Sequence, residues 1–425
     1  MERIQAIGNH LLAPSDSYSS ELKTSEVRGK ESNKEFSIDY YQFSDLLTPK
    51  EREIREKAKD FVKNNLDLDQ LNKYYEKAEF PFFLLDKLKK LGWVGANIKD
   101  YGCPGMGAGE LGMVALELSK TSTDLSTFYC ILLNISMLPI FYCGSEQQKQ
   151  HYLPKMASMD MIGAFALTEP EAGSDASGLK CSATKVPGGW RLNGEKRWIG
   201  NAPIADVLIV WARNSDTKKI HGFIVEPSKH KGVTIEKMEN KIALRSVQNG
   251  HIYLRDCFVP DEQQLPLAKD FQTGPGKCLF LTRIVAAWIA LGVASNAYEK
   301  CLEYVKQRKQ FGQPLASFQL VQERLTRMLG NLQGMTLMCL RISQLFDQGK
   351  LTYGQVGLLK AHVSLKGREI VSLSRELLGG NGIASDFGGV ARNFVDMEAI
   401  YTFEGTYDVN SLITGREITG ISAFK

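Results

Sequence analysis

The spacing of apolar and polar positions changes character twice along the chain. From about Leu46 apolar residues recur at helical spacing, and "TPKEREIREKAKDFVKNNL" opens with Thr48 and Pro49 at a cap and a first-turn position. The same period predicts helices in "PFFLLDKLKKLGW", "GELGMVALELSK" and "EQQKQHYLPKMASM". Near residue 162 short β-rich runs take over, from "IGAFALT" through "DVLIVWARN" to "GHIYLRDCFVP". Turn signals at Pro187-Gly188-Gly189 and Asn193-Gly194 separate them, which predicts an antiparallel sheet or barrel of about a hundred residues. From roughly Gly274 helical periodicity returns, around 278–307, 317–347, 355–380 and 410–419. The expected organisation is α+β and multidomain: an extension at 1–43, a helical domain at 44–161, a β-domain at 162–273 and a second helical domain at 274–425. The extension is rich in Ser, Glu and Lys with little periodicity, and is expected to be poorly ordered.

Composition narrows the function classes. The 425 residues are 43% hydrophobic and 24% charged, ordinary for a globular protein, and a net charge of +4 argues against a nucleic-acid-binding surface. Eight cysteines form no C-x-x-C pair and sit in apolar runs, so buried free thiols in a reducing compartment are expected. The six histidines show no ligand spacing, and no metal site is expected. "FYCILLNISMLPIFYC" is interrupted by Asn134, Ser136 and Pro139, and "IVAAWIALGVA" is short, so no transmembrane segment is expected. Glu2 and the scarcity of Arg near the start argue against a transit peptide. The terminal "SAFK" departs from the S-K-L address to peroxisomes.

Six stretches carry candidate chemistry. "GMGAGELG" matches G-x-G-x-x-G at Gly107, Gly109 and Gly112, but its surroundings read as helical and the nucleotide-binding reading is rejected. "FALTEPEAGSDASG" ends a β-run in a polar loop whose amides and hydroxyls suit a flavin edge, a phosphate or a plain turn. "GEKRWIGNAPIAD" puts Trp198 at a strand end, where a flat ring packs a core or stacks on a flat cofactor. "YVKQRKQFGQPLASFQLVQ" sets Arg308, Phe311 and Gln319 at a helix–loop–helix junction, with Arg308 either solvated or clamping a pyrophosphate. "SRELLGGNGIASDFG" has more glycine than a helix cap requires, allowing close approach of a backbone or ligand. In "AIYTFEGTYDVN" the lone carboxylate of Glu404 follows an apolar, aromatic run and precedes Gly405. Burial there would penalise its charge and suit a general base.

In this order, the runs "ALTEP-x-AGSD", "RW-I-G-N", "R-K-Q-F-G", "L-L-G-G-N-G" and "F-E-G-T" resemble the acyl-CoA dehydrogenase superfamily over about residues 44–423. Within it "ATKVPGGWRLNGEKRWIGN" and "TGREITGISAFK" are similar to the glutaryl-CoA dehydrogenase branch, especially the plant peroxisomal short-chain acyl-CoA oxidases. The resemblance implies an N-terminal helical domain, a central antiparallel β-domain and a C-terminal four-helix bundle, assembled as a homotetramer (a dimer of dimers) around non-covalent FAD. It implies that Phe165, Leu167, Thr168, Gly173 and Ser174, with Trp198, Ile199 and Gly200, line the flavin. Arg308, Phe311, Gln319, Glu376, Leu377, Gly379 and Gly380, completed by Thr406 and Asp408, would hold the adenine dinucleotide across a subunit interface. Ser174, Thr282, Arg283 and Gly405 would contact the acyl-CoA. Glu404 would remove the α-proton as hydride leaves the β-carbon for flavin N5, with the thioester oxygen held by a ribityl hydroxyl and the backbone N–H of the base.

Three departures shape the expected activity. The position of the Arg that grips a distal carboxylate in glutaryl-CoA dehydrogenases falls on Ser126, so decarboxylation of a dicarboxylyl substrate is not expected. The surrounding Phe128, Tyr129, Ile131 and Leu132 read as an apolar pocket for a short or medium straight chain, or as core. Gly200 replaces a hydroxyl residue and would open room for dioxygen, as in oxidases, while Phe403 replaces a frequent Tyr. The expected reaction is dehydrogenation of an acyl-CoA to the trans-2-enoyl-CoA with electrons passed to an electron-transfer flavoprotein. An oxidase forming hydrogen peroxide, and a flavoprotein scaffold in a larger complex, stand as alternatives. A mitochondrial matrix location is expected, with the peroxisome as the alternative.

Overall fold

A computed structural model describes residues 37–423. Residues 1–36 of the expected extension lie outside the described residues, but Ser37, Ile38 and Phe43 are buried. The packed structure therefore begins before the expected boundary. Gln333 donates to the Ser37 carbonyl (2.8 Å), and the Phe43 ring lies 6.2 Å from that of Trp288.

The first helical layer contains α1 (Pro49–Asn65), α2 (Leu68–Lys77), α3 (Leu85–Lys89), α4 (Ala108–Thr121), α5 (Thr123–Ser126), α6 (Leu133–Cys143) and α7 (Glu146–Ala157). Thr48 and Glu51 close a reciprocal capping box that starts α1, as the Thr-Pro signal predicts. The glycines of "GMGAGELG" open α4 with no strand before them. The Ala108 amide at that helix start is taken by the Asp347 carboxylate (2.8 Å). A Cβ at Gly109 would collide with Glu51, and one at Gly112 with Trp288, so these glycines serve helix packing.

Between α5 and α6 the chain forms one π-helical stretch, Thr127–Leu132, so Thr123–Cys143 runs as one continuous helical segment through Pro139. That segment and Gln272–Gln307 are long and apolar enough to cross a membrane, contrary to the expectation from the broken sequence runs. Their apolar windows are 83% and 89% buried inside the protein, which is where core helices of a large helical layer belong.

The β-domain is one seven-stranded sheet in the order β1-β4-β2-β3-β7-β6, with β5 on β4. Its strands are β1 (Gly163–Ala166), β2 (Ser182–Val186), β3 (Gly189–Gly200), β4 (Val207–Asn214), β5 (Ile220–Val225), β6 (Val233–Lys237) and β7 (Asn249–Pro260). The sheet is mixed where antiparallel pairing was expected: β4 pairs parallel with both β1 and β2. Asn193-Gly194, expected as a turn, lies inside the long strand β3, because Gly194 packs against Cys181 where a Cβ would not fit.

The second helical layer comprises α8 (Lys277–Gln307), α9 (Gln319–Asp347), α10 (Tyr353–Leu377), α11 (Val390–Thr402) and α12 (Tyr407–Thr419). A tight hairpin, β8 (Lys309–Gln310) and β9 (Gln313–Pro314), joins α8 to α9. The periodicity did not predict α11. It ends directly at Phe403, so the Glu404 stretch is the short connection between two helices.

Candidate active site

Three groups of side chains gather the expected site residues. The first surrounds Glu404. Its backbone is left-handed (φ 55°), as is that of Gly405 (φ 86°). For a non-glycine residue this costs on the order of 1–2 kcal/mol, so surrounding contacts must hold it. The Glu404 carbonyl accepts from Arg283 Nε (3.3 Å) and Asn410 Nδ2 (3.3 Å). Asn410 also donates to the carbonyls of Gly405 (2.8 Å) and Thr406 (3.1 Å). From below, Lys360 Nζ donates to the carbonyls of Gly405 (2.6 Å) and Tyr401 (3.1 Å).

The half-buried Glu404 side chain accepts a 2.6 Å hydrogen bond from Thr282 Oγ1, one turn into α8. Burial pushes the Glu404 carboxyl above the usual range, against the opposing pull of the Thr282 hydroxyl and the Arg283 and Lys360 charges. Burial likewise lowers the affinity of the Arg283 guanidinium for its proton. It drives the Lys360 ammonium down to about 7, although the Glu404 charge works the other way.

The second group lies on the sheet. Leu167 and Thr168 follow β1, and their carbonyls accept from Lys196 Nζ (3.0 Å) and the Arg197 amide (2.9 Å). Lys196 also pairs with Glu169 (2.8 Å), which accepts the Lys180 and Cys181 amides as well (2.6 and 2.9 Å). Gly173 and Ser174 continue the loop and are exposed. The register between β3 and β7 slips by one residue between Lys196 and Ile199, placing a β-bulge at Trp198, whose φ is 65°. The bulge turns the indole outward and leaves it 55% exposed, while Ile199 and Gly200 return to the buried face. A Cβ at Gly200 would sit 2.5 Å from Leu132 Cδ2, so the leucine fills the space beside that glycine.

The third group forms a cleft of about 230 Å³ lined by Arg308, Leu377, Gly379 and Gly380 with Tyr304 and Asn381. Gly379 and Gly380 begin a 3-10 turn after α10, and both face open space where a Cβ would stand. Phe311, Gln319 and Glu376 lie outside this cleft lining. Phe311 and Gly312 both have positive φ, the signature of a tight hairpin turn, and Phe311 is 93% exposed at its tip. Glu376 pairs with Arg324 (3.0 Å), and Gln319 is exposed at the first position of α9. Thr406 caps α12 by accepting the Val409 amide (3.2 Å), with Asp408 exposed in its first turn.

An exposed flat ring beside a polar loop, and a guanidinium beside two unobstructed glycines, fit the two ends of a flavin dinucleotide. Of the run expected as an apolar pocket or as core, Phe128, Tyr129 and Ile131 are buried in the core, and the Tyr129 hydroxyl donates to Leu88 O (3.3 Å). The π-helix leaves Leu132 as the member of that run that is only partly buried. Ser126 is buried too and donates to Ala115 O (3.0 Å).

Two helical layers packed on each other, a mixed sheet with its own core, a recessed acid, an exposed ring beside a polar loop and a glycine-lined cleft describe a flavin-dependent acyl-CoA oxidoreductase. The chain belongs to the acyl-CoA dehydrogenase family. Its residues 48–160, 164–257 and 276–419 match the N-terminal, middle and C-terminal acyl-CoA dehydrogenase domains, a family that uses FAD. It is 31% identical over 379 residues to a probable acyl-CoA dehydrogenase of Bacillus subtilis, covering 88% of this chain and 98% of that one. A mitochondrial 2-methylacyl-CoA dehydrogenase of Solanum tuberosum is 32% identical over 310 residues, 71% of this chain and 74% of that one. A glutaryl-CoA dehydrogenase from Mycobacterium smegmatis in complex with FADH2 superposes with a TM-score of 0.87 at 32% identity, covering 91% and 99% of the two chains.

Sequence reasoning missed Lys196, Lys360, Asn410 and the packing of Leu132. The two lysines had a readable signal. Lys360 stands among Val356, Leu359 and Val363 on a buried helical face, and Lys196 shares the inward side of β3 with Leu192.

Proposed function

We propose that Glu404 removes the α-proton of a short- or medium-chain acyl-CoA, producing a trans-2-enoyl-CoA. The observation that carries this reading is the recessed carboxylate of Glu404, set in left-handed backbone with Thr282 as its hydrogen-bond partner. Burial makes the Glu404 carboxylate a stronger base than a solvated one, and among the described residues no ion pair is made at its oxygens. Thr282 orients the carboxylate, while Arg283 holds the Glu404 carbonyl and so aims the backbone of the base. Gly405 carries no side chain beside the base, and the Glu404 amide would donate to a developing enolate oxygen. FAD, when bound, supplies the acceptor for the hydride of the β-carbon. Phe165, Leu167, Thr168, Gly173, Ser174, Trp198, Ile199 and Gly200 would hold its ring. Arg308, Phe311, Gln319, Glu376, Leu377, Gly379 and Gly380, completed by Thr406 and Asp408, would hold the adenine dinucleotide of a neighbouring subunit in a homotetramer.

The buried Ser126 offers no charge to a distal carboxylate, which supports a monocarboxylyl chain. Electron-transfer flavoprotein as acceptor is supported by Leu132, which fills the room beside Gly200 that a reaction with dioxygen would use. The potato relative supports a mitochondrial matrix location. The test is anaerobic reduction of the purified holoprotein with butyryl-CoA, then admission of air. Bleaching that persists in air until electron-transfer flavoprotein is added supports the dehydrogenase. Rapid reoxidation with stoichiometric hydrogen peroxide makes it an oxidase, and no bleaching with any acyl-CoA overturns the enzyme reading.

A further inference from the structure

Glu404 sits in backbone that its own residue type disfavours, and local sequence does not explain why that backbone persists. The carbonyls around it give the explanation. Those of Tyr401, Glu404, Gly405 and Thr406 are all drawn to side-chain donors: Lys360, Arg283 and Asn410. Two of these donors have further constraints of their own. Asn410 is on α12, only six residues from Glu404, and moves with the loop. Arg283 reaches one carbonyl, at the long distance of 3.3 Å.

Lys360 differs in kind. It projects from α10, a separate helix of 25 residues, and is 1% exposed. Its ammonium bridges the last turn of α11, at Tyr401, and the residue after the base, at Gly405. The two anchor points bracket Glu404, so the position of the base is fixed between them. No carboxylate oxygen lies within ion-pairing distance of Lys360 among the described residues, and its acceptors are backbone carbonyls. A buried ammonium without a paired carboxylate is costly to keep. In this place its N–H groups serve the Tyr401 carbonyl in the last turn of α11 and share the Gly405 carbonyl with Asn410.

We propose that Lys360 is a positioning residue for the proposed base: by bridging the Tyr401 and Gly405 carbonyls it holds Glu404 in left-handed backbone with its carboxylate and amide aimed at one substrate. The inference rests on the reading of Glu404 as the base. It acts through the loop and requires no contact between Lys360 and the acyl-CoA.

The test uses the full-length holoprotein and Lys360→Met, which keeps the length and apolar stem and removes the donors. Two readouts separate this inference from the reading beneath it. Amide hydrogen exchange over residues 401–410 is expected to quicken by at least about tenfold in K360M, with exchange in the β-domain unchanged. The rate constant for flavin bleaching at saturating butyryl-CoA is expected to fall by about 10²-fold, the scale of a small misplacement at a reacting centre, with the dissociation constant unchanged. Lys360→Gln retains a donor on a shorter stem and is expected to recover part of both, and it carries the test if K360M does not accumulate as folded protein. Unchanged exchange over 401–410 overturns the role of Lys360, whatever happens to the rate. A fall in affinity with an unchanged bleaching rate overturns it as well. Absence of bleaching in the wild-type protein overturns the acyl-CoA reading instead, and the exchange measurement then still decides whether Lys360 holds the loop.

Discussion

Two buried lysines support the two halves of this site from behind, in different ways. Lys196, 0% exposed, holds the loop after β1 through the Leu167 carbonyl and neutralises itself on Glu169, 2.8 Å away. Lys360, 1% exposed, holds the loop after α11 through two carbonyls and leaves the nearby acid to Thr282. On the sheet the carboxylate is consumed by structure: besides Lys196 it accepts two backbone amides. Under the helices the carboxylate stays available for chemistry. A buried cation needs compensation, and the choice of carbonyls or carboxylate as its partner decides whether the neighbouring acid can act as a base.

The largest effect expected from this contrast is at Glu404. Glu404→Gln keeps the Thr282 partner and removes the proton acceptor. Bleaching by butyryl-CoA should slow by about 10²–10⁴-fold or more, with flavin content and melting temperature preserved. Glu169→Gln should leave the reduction rate close to wild type once flavin is bound; equal kinetic losses at the two acids would break the comparison.

Next is the stability difference between the lysines. Lys196→Met strands the Glu169 carboxylate in the interior and should cost about 3–5 kcal/mol, read by urea unfolding. Lys360→Met strands no bonded carboxylate and should cost less. Linkage adds a second mark. Burial holds Lys360 down at about 7 from an ordinary 10.5, so between those two pH values the unfolded chain binds the extra proton. Stability from this group is fully present above the ordinary lysine pKa and is lost as pH falls toward 7. Its part of the pH slope in that window should vanish in K360M.

Thr282 sharpens the contrast by pH alone. Its hydroxyl stabilises the charged carboxylate, opposing burial. Thr282→Val should therefore raise the Glu404 pKa further and move the acid limb of the bleaching rate to higher pH, with a smaller loss on the alkaline plateau. A limb that stays in place would mean that the hydroxyl faces the substrate.

How much of this was readable follows from which signals are local. Glu404 announces itself through an aromatic run and Gly405, and the helix starting at Pro49 through the Thr48-Pro49 pair, because neighbours in sequence make those features. Trp198 was readable as a flat ring at a strand end, but its outward aim depends on a bulge between β3 and β7, set by residues about fifty positions away. Asn193-Gly194 carries a turn signal that the contact with Cys181 overrides. The helix through Pro139 persists because tertiary burial outweighs one missing amide. Lys360 and Gly405 are forty-five residues apart, and no local pattern reports that they meet.

The smallest effect tests the boundary between the two halves, where the π-helix of the first layer touches the sheet at Gly200. Gly200 has no positive φ, so alanine is allowed by the backbone and its methyl must contend with Leu132, 2.5 Å from the added carbon. Gly200→Ala should cost about 1–3 kcal/mol through overpacking, and Leu132→Ala in the same chain should return most of it. A double-mutant cycle measures the coupling directly. The single change Leu132→Ala also opens the space beside the glycine without touching Glu404, Lys196 or Lys360. Butyryl-CoA should bleach that variant as readily as wild type, and air should then restore its colour faster. Unchanged reoxidation in air would mean that Leu132 packs the core without shielding the flavin, and the choice between dehydrogenase and oxidase would have to rest on another part of the molecule.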